Sequence, residues 1–293
     1  MERISHTDLI LNPDGSIYHL ALLPEEIADT IILVGDPGRV EMISSRFDEV
    51  EVRKSNREFI THTGSYHGKR ISVISTGIGT DNIDIVLNEL DALINVDLIE
   101  RQVKNDKRSL SFIRIGTSGA LHSHIEPGTR IMTKIAGGFD GLYHFYQDKK
   151  QIAVNGLSEA FIDHTNWKKA LPDPYFIEGS GKLISLFSAP EQVAGITLST
   201  PGFYAPQVRS IRLSPFDVNL IQKLNTFQFG PFQINNFEME SSALYALSAL
   251  MGHHAITICV AVANRISKEF LVDYKPAMES LIEMVIDKIS KDD

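Results

Sequence analysis

Arginines beside glycine-bearing turns are the residues of this 293-residue chain whose type and spacing first suggest chemistry. Arg39 closes the segment Gly-Asp-Pro-Gly-Arg directly after a β-branched run, and Gly35 at its start lets backbone approach a ligand closely. Arg114 stands one residue before the end of another such run, and Thr117 adds a hydroxyl just after it. Because a guanidinium is a planar, permanently charged fork that suits phosphate oxygens, these two junctions predict an anion site.

Each of these arginines also has an explanation that needs no ligand. Taken alone, the turn that ends at Arg39 is more typical of a surface turn with a solvated side chain. Arg114 needs a partner if its strand is central, because burying an unpaired guanidinium is costly. An internal salt bridge would meet that need as well as a bound anion would.

A second candidate site is a pair of carboxylates with a methionine between them. Glu238, Met239 and Glu240 are predicted to fall in the first turn of an amphipathic helix, where acidic residues complement the helix dipole by about 0.3–1 kcal/mol. That effect explains the charge of the pair but not the methionine between them. The alternative is a sugar site, in which a carboxylate accepts hydrogen bonds from a diol and Met239 packs on the sugar face.

The segment Phe-Tyr-Ala-Pro-Gln-Val-Arg, residues 203–209, combines an aromatic ring, an amide and a guanidinium. The amide of Gln207 can donate and accept at once, as the edge of a nucleobase requires, while Phe203 offers a surface for stacking and Arg209 a charged donor. By itself the heptapeptide is more typical of an ordinary loop.

Other motifs predict less. Residues 75–82 resemble a dinucleotide fingerprint, but Asn82 stands where the third glycine is needed. The histidine pairs at 122 and 124 and at 253 and 254 have no third ligand at a recognisable spacing, so no metal is predicted. Cys259 lies in an apolar run and is interpreted as a small buried hydrophobe.

Alternating strands and helices must position these residues. Short β-branched runs predict strands at residues 30–34, 71–75, 111–115, 130–135, 195–199 and 254–262, and their apolar continuity indicates a largely parallel sheet covered on both faces. Helices are predicted at residues 239–251, from near Asp81 and from about Lys275. Residues 138–188 are the least patterned and predict an excursion from the sheet. One domain over residues 1–293 is expected.

Composition narrows the classes of partner. Lys and Arg number 28 against 37 Asp and Glu, a net charge of -9, which gives no electrostatic reason to expect nucleic acid or an anionic membrane. The N-terminus lacks an apolar signal core, and no run approaches the ~20 apolar residues of a membrane span. We therefore expect a cytoplasmic protein.

Taken together in this order, these segments resemble the nucleoside phosphorylase superfamily, most closely its uridine phosphorylase branch. The resemblance extends from Tyr18-His19-Leu20 to Asn264-Arg265. It implies a three-layer α/β/α fold around a twisted, mostly parallel mixed sheet. It also implies active sites shared between paired subunits, with a homodimer as the minimal active unit and a hexamer as the expected assembly.

The resemblance implies a role for each candidate residue. The implied sites are phosphate (Gly35, Arg39, Arg114, Thr117 and, from the neighbouring subunit, Arg57), ribose (Glu238, Met239, Glu240 and, across the interface, His19) and uracil (Phe203, Gln207, Arg209). The implied catalytic residues are Arg39, Arg114, Gln207, Arg209 and Glu240. No cofactor is expected, and inorganic phosphate is a co-substrate.

The sequence departs from the family pattern at two of these places. The uracil loop reads Tyr-Ala-Pro-Gln where the family usually has Tyr-Pro-Gly-Gln, so its turn is expected to differ. Some relatives hold a monovalent cation near the position of Glu58, but Asn82 replaces an expected serine there, and no cation is predicted. The segment 138–188 also differs from the better-known members.

The implied reaction is reversible phosphorolysis of uridine to uracil and ribose 1-phosphate, with deoxyuridine and thymidine as further substrates, in pyrimidine nucleoside salvage. The nearest alternative is a purine nucleoside or methylthioadenosine phosphorylase, whose late aspartate is absent here because the sequence reads Asn264-Arg265. A nucleosidase that uses water has no need of three phosphate-facing arginines. A nucleoside-binding protein without catalysis would not need the full set.

Overall fold

The computed structural model describes residues 3–147 and 152–292. The strands are β1 (Thr30–Val34), β2 (Glu49–Asn56), β3 (Phe59–Tyr66), β4 (Lys69–Ser75), β5 (Val96–Asp97), β6 (Gln102–Val103), β7 (Ser111–Ala120), β8 (Arg130–Gly138), β9 (Tyr175–Glu178), β10 (Val193–Ser199), β11 (Gln228–Phe229), β12 (Phe232–Glu238) and β13 (His254–Asn264). The α-helices are α1 (Gly38–Ser44), α2 (Thr80–Asn95), α3 (Leu157–Thr165), α4 (Gly181–Phe187), α5 (Leu220–Thr226), α6 (Ser241–Met251) and α7 (Lys275–Ser290).

One large mixed sheet runs through the molecule in the order β11-β12-β10-β8-β13-β7-β1-β4-β3-β2, with β9 beside β8. Strands β4, β1, β7 and β13 run parallel to one another, and β3 and β2 continue the sheet beyond β4 as antiparallel strands. Strand β12 also pairs with β7, through Asn236 with Ala120 and Phe237 with Gly119. This pairing closes a ring of strands and brings the end of β12 next to β7.

Helices cover both faces of the sheet, and strand β1 shows why. Ile31, Ile32, Leu33 and Val34 are all fully buried. Because successive side chains of a strand point to opposite faces, Ile31 and Leu33 pack in the core that includes α2 and α6, whereas Ile32 and Val34 pack in the core that includes α1, α4 and α7. The predicted three-layer α/β/α fold around a mostly parallel mixed sheet is confirmed.

The predicted strands are all present, but most are longer than the sequence indicated. Strand β1 has the predicted bounds, whereas β4, β7, β8, β10 and β13 extend further. The extension of β7 contains Gly116 and Gly119, residues that a pattern search takes for a turn. Strands β2, β3, β9 and β12 were not predicted, because β2 alternates exposed and half-buried polar residues at an edge and β12 carries two asparagines.

The helix predicted over residues 239–251 begins later than expected. Helix α6 starts at Ser241, Glu240 is its N-cap residue, and Glu238 is the last residue of β12. The expectation that Glu238 and Glu240 lie in the first helical turn is therefore wrong, because the sheet pairing of β12 with β10 extends through Glu238. The helices predicted near Asp81 and Lys275 are present as α2 and α7.

The segment 138–188 is less of an excursion than its sequence indicated. Strand β9 joins the sheet beside β8, and Leu183 and Phe187 of α4 enter a main core. Helix α3 and Trp167 belong to a third apolar cluster with α5. A weak apolar pattern does not reveal strand pairing, and the pairing of β9 with β8 is what joins this segment to the sheet. Its residues 148–151 lie outside the described part.

That residues 1–293 form one domain stays a prediction. Where the chain is described, none of its helices combines the length and apolarity needed to cross a bilayer.

Candidate active site

A cavity of about 1310 Å³ collects residues from the ends of several strands. Its walls are formed by residues that follow β1 and β10, by the middle of β7, and by the ends of β12 and β13. The predicted residues that line it are Gly35, Arg39, Arg114, Thr117, Phe203, Gln207, Arg209, Glu238, Met239 and Glu240. The fold therefore brings into one space segments that are up to two hundred residues apart in sequence.

Arg39 and Arg114 form the deeply buried end of this cavity. Their exposed fractions are 8% and 4%, so both guanidiniums are largely withdrawn from water. Arg39 donates from Nη1 to the carbonyl oxygen of Ile115 at 3.4 Å, but its Nε has no hydrogen-bond partner, and neither do Nε and Nη1 of Arg114. Buried donors without partners are costly, so this end of the cavity is suited to an anion.

Arg114 is also paired within the protein, as the alternative explanation required. Its Nη2 donates to Oε2 of Glu240, and its Nη1 lies 3.6 Å from Oε2 of Glu238. Burial acts to lower the pKa of Arg114, but the charges of Glu240 and Glu238 outweigh burial and raise the pKa above its ordinary value. The salt bridge therefore does not exclude an anion at this place, because the pairing leaves two of the nitrogens without hydrogen bonds.

Glu240 joins two of the segments singled out from the sequence. Its Oε1 accepts a hydrogen bond from the backbone N–H of Gly79 at 2.9 Å, while Oε2 accepts from Arg114. Burial raises the pKa of the Glu240 carboxyl; Arg114 opposes this effect and Glu238 reinforces it. The glycine-rich segment 75–82 thus holds a carboxylate at the cavity, and Met239 beside it is half-buried.

The other end of the cavity, where the sequence predicted a base site, is built from the loop after β10. The amide of Gln207 is 3% exposed; it donates to Oγ1 of Thr200 at 3.0 Å, and its oxygen accepts from Arg209. The guanidinium of Arg209 lies over the ring of Phe203, 3.7 Å from its centroid. One face of Phe203 is therefore covered by Arg209.

Sequence reasoning missed a second arginine at this end. Arg265 lines the cavity, and its Nη1 donates to the carbonyl oxygen of Gln207 at 2.9 Å. Burial, followed by the charge of Arg265, lowers the pKa of Arg209 to about 10, and burial also lowers the pKa of Arg265. Arg265 directly follows a buried strand, and arginines near strand ends were the signal that singled out Arg39 and Arg114, so the same signal could have found it.

Gly116 was also missed, although it determines where Arg114 can lie. A Cβ atom at Gly116 would lie 2.2 Å from Nη1 of Arg114 and 2.9 Å from Sγ of Cys259. Only a residue without a side chain therefore leaves room for the guanidinium. Sequence alone could not show this, because Gly116 and Cys259 belong to different strands.

His19 and Arg57 do not line the cavity of their own chain. The Nη2 of Arg57 donates to the Tyr18 hydroxyl at 3.3 Å, and Asn56 next to it donates to the backbone oxygen of His19 at 2.8 Å. The His19 ring is fixed by Glu89, whose Oε1 lies 2.6 Å from Nδ1. The two residues that the resemblance assigns to a neighbouring subunit thus lie together at a separate place.

The remaining candidates have structural roles. Cys259 is fully buried, and burial raises the pKa of its thiol to about 12, as expected of a hydrophobic filler. His122 contacts His124, and burial followed by that neighbour lowers the pKa of His122. A search of the described residues finds no group of three or more His, Cys, Asp or Glu side chains that could hold a metal ion.

The sequence matches a family model described as the phosphorylase superfamily over residues 29–287. Among curated relatives, a uridine phosphorylase from Thermococcus kodakarensis is 34% identical over 88% of this chain and 80% of its own length. A DeoD-type purine nucleoside phosphorylase from Clostridium perfringens is 29% identical over 86% of this chain and 88% of its own.

Solved structures agree with this match. A nucleoside phosphorylase from Trypanosoma brucei, described as showing uridine phosphorylase activity, superposes with a TM-score of 0.88 at 28% sequence identity. The superposition covers 97% of this chain and all of the other. The likeness therefore extends over almost the whole chain.

Proposed function

Since this chain belongs to the phosphorylase superfamily, we propose that it is a uridine phosphorylase, a pentosyltransferase that cleaves uridine with inorganic phosphate. The products are uracil and ribose 1-phosphate, and deoxyuridine and thymidine are proposed as further substrates. The reaction belongs to pyrimidine nucleoside salvage, and we propose that it takes place in the cytoplasm.

One observation carries the choice of phosphate as the attacking group. Arg39 and Arg114 present three buried nitrogens without hydrogen-bond partners at one end of the cavity. Thr117, which also lines this end, adds a hydroxyl that can donate to a phosphate oxygen. An enzyme that used water would leave these donors unpaired in each catalytic cycle, at a cost that a bound phosphate removes.

The phosphate has two tasks in the proposed reaction. It attacks the anomeric carbon as the bond to the base nitrogen breaks, and its negative charge stabilises the oxocarbenium-like sugar of the transition state. Holding it beside the anomeric carbon removes much of the entropic barrier to a two-substrate reaction. Glu240, fixed by Gly79 and Arg114, is placed to accept hydrogen bonds from ribose hydroxyls, and Met239 to pack against the sugar.

The base leaves with the electron pair of the broken bond, so negative charge grows on uracil. Gln207 and Arg209 are proposed to donate to the uracil oxygens and N3 edge, where preorganised donors are commonly worth a few kcal/mol each. Arg265 adds a second positive charge at this end. No side chain needs to protonate the base, which separates this site from a purine phosphorylase with a carboxylic acid in the position after β13.

A second copy of the chain is part of the proposal. Arg57 and His19 lie apart from the cavity, and Arg57 is exposed, so both could reach only a site on a neighbouring molecule. We propose that Arg57 completes the phosphate site and that His19 reaches the ribose 5′-hydroxyl of the partner. A homodimer would then be the minimal active unit, within a hexamer.

The deciding experiment measures release of the base from uridine by ultraviolet absorbance, with and without inorganic phosphate. We expect cleavage only with phosphate, and ribose 1-phosphate as the sugar product. Inosine and methylthioadenosine are the comparison substrates, since a purine phosphorylase would prefer them. Equal rates without phosphate would identify a nucleosidase, and binding without cleavage would identify a nucleoside-binding protein.

A further inference from the structure

We infer that Glu238 is a positioning residue, which does not contact ribose itself but holds Arg114 and Glu240 in the places where they meet phosphate and ribose. The resemblance grouped Glu238 with the ribose contacts. This inference rests on the proposed function, and it assigns the three neighbouring residues 238–240 to different tasks.

Three donors of the protein already contact the carboxylate of Glu238, and the Ser241 N–H is shared between its two oxygens. Its Oε1 accepts from the hydroxyl of Ser199 and from the backbone N–H of Ser241 at 3.1 Å. Its Oε2 accepts from the backbone N–H groups of Glu240 and Ser241, both at 3.0 Å. The side chain is only 1% exposed, although the residue borders the cavity. A ribose hydroxyl would have to displace one of these donors to bind here.

Two of the groups beside this carboxylate belong to residues of the proposed site, namely the backbone N–H of Glu240 and the guanidinium of Arg114. The N–H of Glu240 fixes the backbone from which the proposed ribose contact projects. The Nη1 of Arg114 lies 3.6 Å from Oε2, so Glu238 attracts the guanidinium from one side while Glu240 pairs with it from the other. Two carboxylates on one guanidinium restrict its position more than either alone.

The backbone of Glu238 extends the same role to the base end. Its carbonyl oxygen accepts a hydrogen bond from the amide of Gln207 at 3.4 Å and another from the backbone N–H of Thr200 at 3.1 Å. A single residue at the end of β12 therefore contacts members of all three proposed sites. Its side chain reaches Arg114 and Glu240, which makes the side chain the part that substitution can test.

The main test is Glu238→Gln, which keeps the shape of the side chain and removes its charge. We expect the KM for phosphate to rise and kcat to fall, each by about tenfold or more, because a displacement of about 1 Å in a binding group can cost a hundredfold. A direct ribose contact would instead impair uridine use and leave the KM for phosphate unchanged, and that outcome would overturn the inference.

Two further readouts distinguish a positioning role of Glu238 from a purely structural one. We expect the acid limb of the pH profile to fall as Glu240, the proposed acceptor of ribose hydroxyls, becomes protonated. Because the charge of Glu238 raises the pKa of Glu240, Glu238→Gln should move this limb to lower pH. In addition, Glu238→Gln should cost little in an Arg114→Lys background, since residues that act through one another are not additive. An unmoved limb with fully additive losses would contradict the inference.

Asp140→Asn is the matched control. Asp140 also accepts from the first turn of α6, through the Ser242 hydroxyl at 2.8 Å, and from the Tyr175 hydroxyl, but it does not line the cavity. We expect this variant to lower the melting temperature and to leave the KM for phosphate unchanged. A rise in that KM comparable to the rise in Glu238→Gln would show that any loss at this helix start has the same effect, against the inference.

Ser199→Ala covers the case in which Glu238→Gln fails to fold. It keeps the carboxylate and removes its hydroxyl donor, so we expect a smaller rise in the KM for phosphate of the same kind. No rise would count against the inference. Wild-type enzyme without phosphate-dependent cleavage would instead refute the proposed function, and the two failures are therefore distinguishable.

Discussion

The proposed phosphate end and the proposed base end of the cavity are built in different ways. Arg114 projects from the middle of a central strand, is 4% exposed and is held by carboxylates from β12 and the start of α6. Arg209 lies on a loop, is half-buried and contacts its own neighbours Phe203 and Gln207. Arg114 is therefore fixed by the sheet, whereas Arg209 is fixed by contacts within its own loop.

Because of this difference, we expect substitutions at the two ends to have different effects on stability and catalysis. Changes at the phosphate end disturb buried charges, so they should affect stability and catalysis together. Replacing Arg209 removes a group whose described hydrogen bonds stay within its own loop, so catalysis should suffer alone. Under the proposed function, base specificity would then depend on a side chain that can change without disturbing the sheet.

The largest effect is expected from Arg114→Ala. Phosphate-dependent cleavage of uridine should fall about 10²–10³-fold, as for other preorganised donors. The free energy of unfolding should fall by about 3–5 kcal/mol, because Glu238 and Glu240 would remain buried without their cation. Initial rates and urea denaturation measure the two losses. A full loss of activity with unchanged stability would break the proposed link between them.

A smaller loss is expected from Gly116→Ala, which adds one methyl group beside Arg114. The new Cβ would lie within 2.2 Å of Nη1, so the guanidinium must move, and we expect kcat/KM for phosphate to fall about tenfold to a hundredfold. Gly181→Ala is the control, because a Cβ there meets no atom within 4 Å. Steady-state kinetics at varied phosphate distinguish the two variants. Equal values of kcat/KM for phosphate would show that the position of the Arg114 guanidinium does not affect phosphate use.

The smallest effect should come from Arg209→Ala. We expect a loss of about tenfold in kcat/KM for uridine, near the lower end of the value of a hydrogen bond from a charged donor because Arg265 remains at this end, with the KM for phosphate unchanged. Stability should change by less than about 0.5 kcal/mol, since Arg209 has no carboxylate partner among its described contacts. Kinetics and thermal unfolding measure both. A large fall in stability would remove the contrast between the two ends.

The central strands and both long helices could be predicted from the sequence because their signals are local. A buried strand such as β1 is a continuous apolar run, and α7 begins at the predicted Lys275 because its apolar stripe is regular. Strands β2 and β12 gave no such signal. The first is a half-exposed edge and the second includes buried asparagines, so only pairing with neighbouring strands identifies them.

The candidate site divides in the same way. Residue types and junctions in the sequence were enough to single out Arg39, Arg114, Gln207, Arg209 and Glu240, and the family to which they point is confirmed. The sequence did not show that Arg114 is ion-paired while two of its nitrogens stay without partners, nor that Arg265 faces the same cavity. Those facts depend on distances between segments far apart in the chain.

The sequence by itself thus determined which side chains are available and where the central strands and the long helices lie, because both follow from local composition. Only the tertiary structure decided what each side chain contacts. Glu238 shows the reason most clearly, since its neighbours in the sequence suggested a sugar contact. The closing of β12 onto β10 and β7 surrounds its carboxylate with donors from Ser199, Glu240 and Ser241, which gives it a different task.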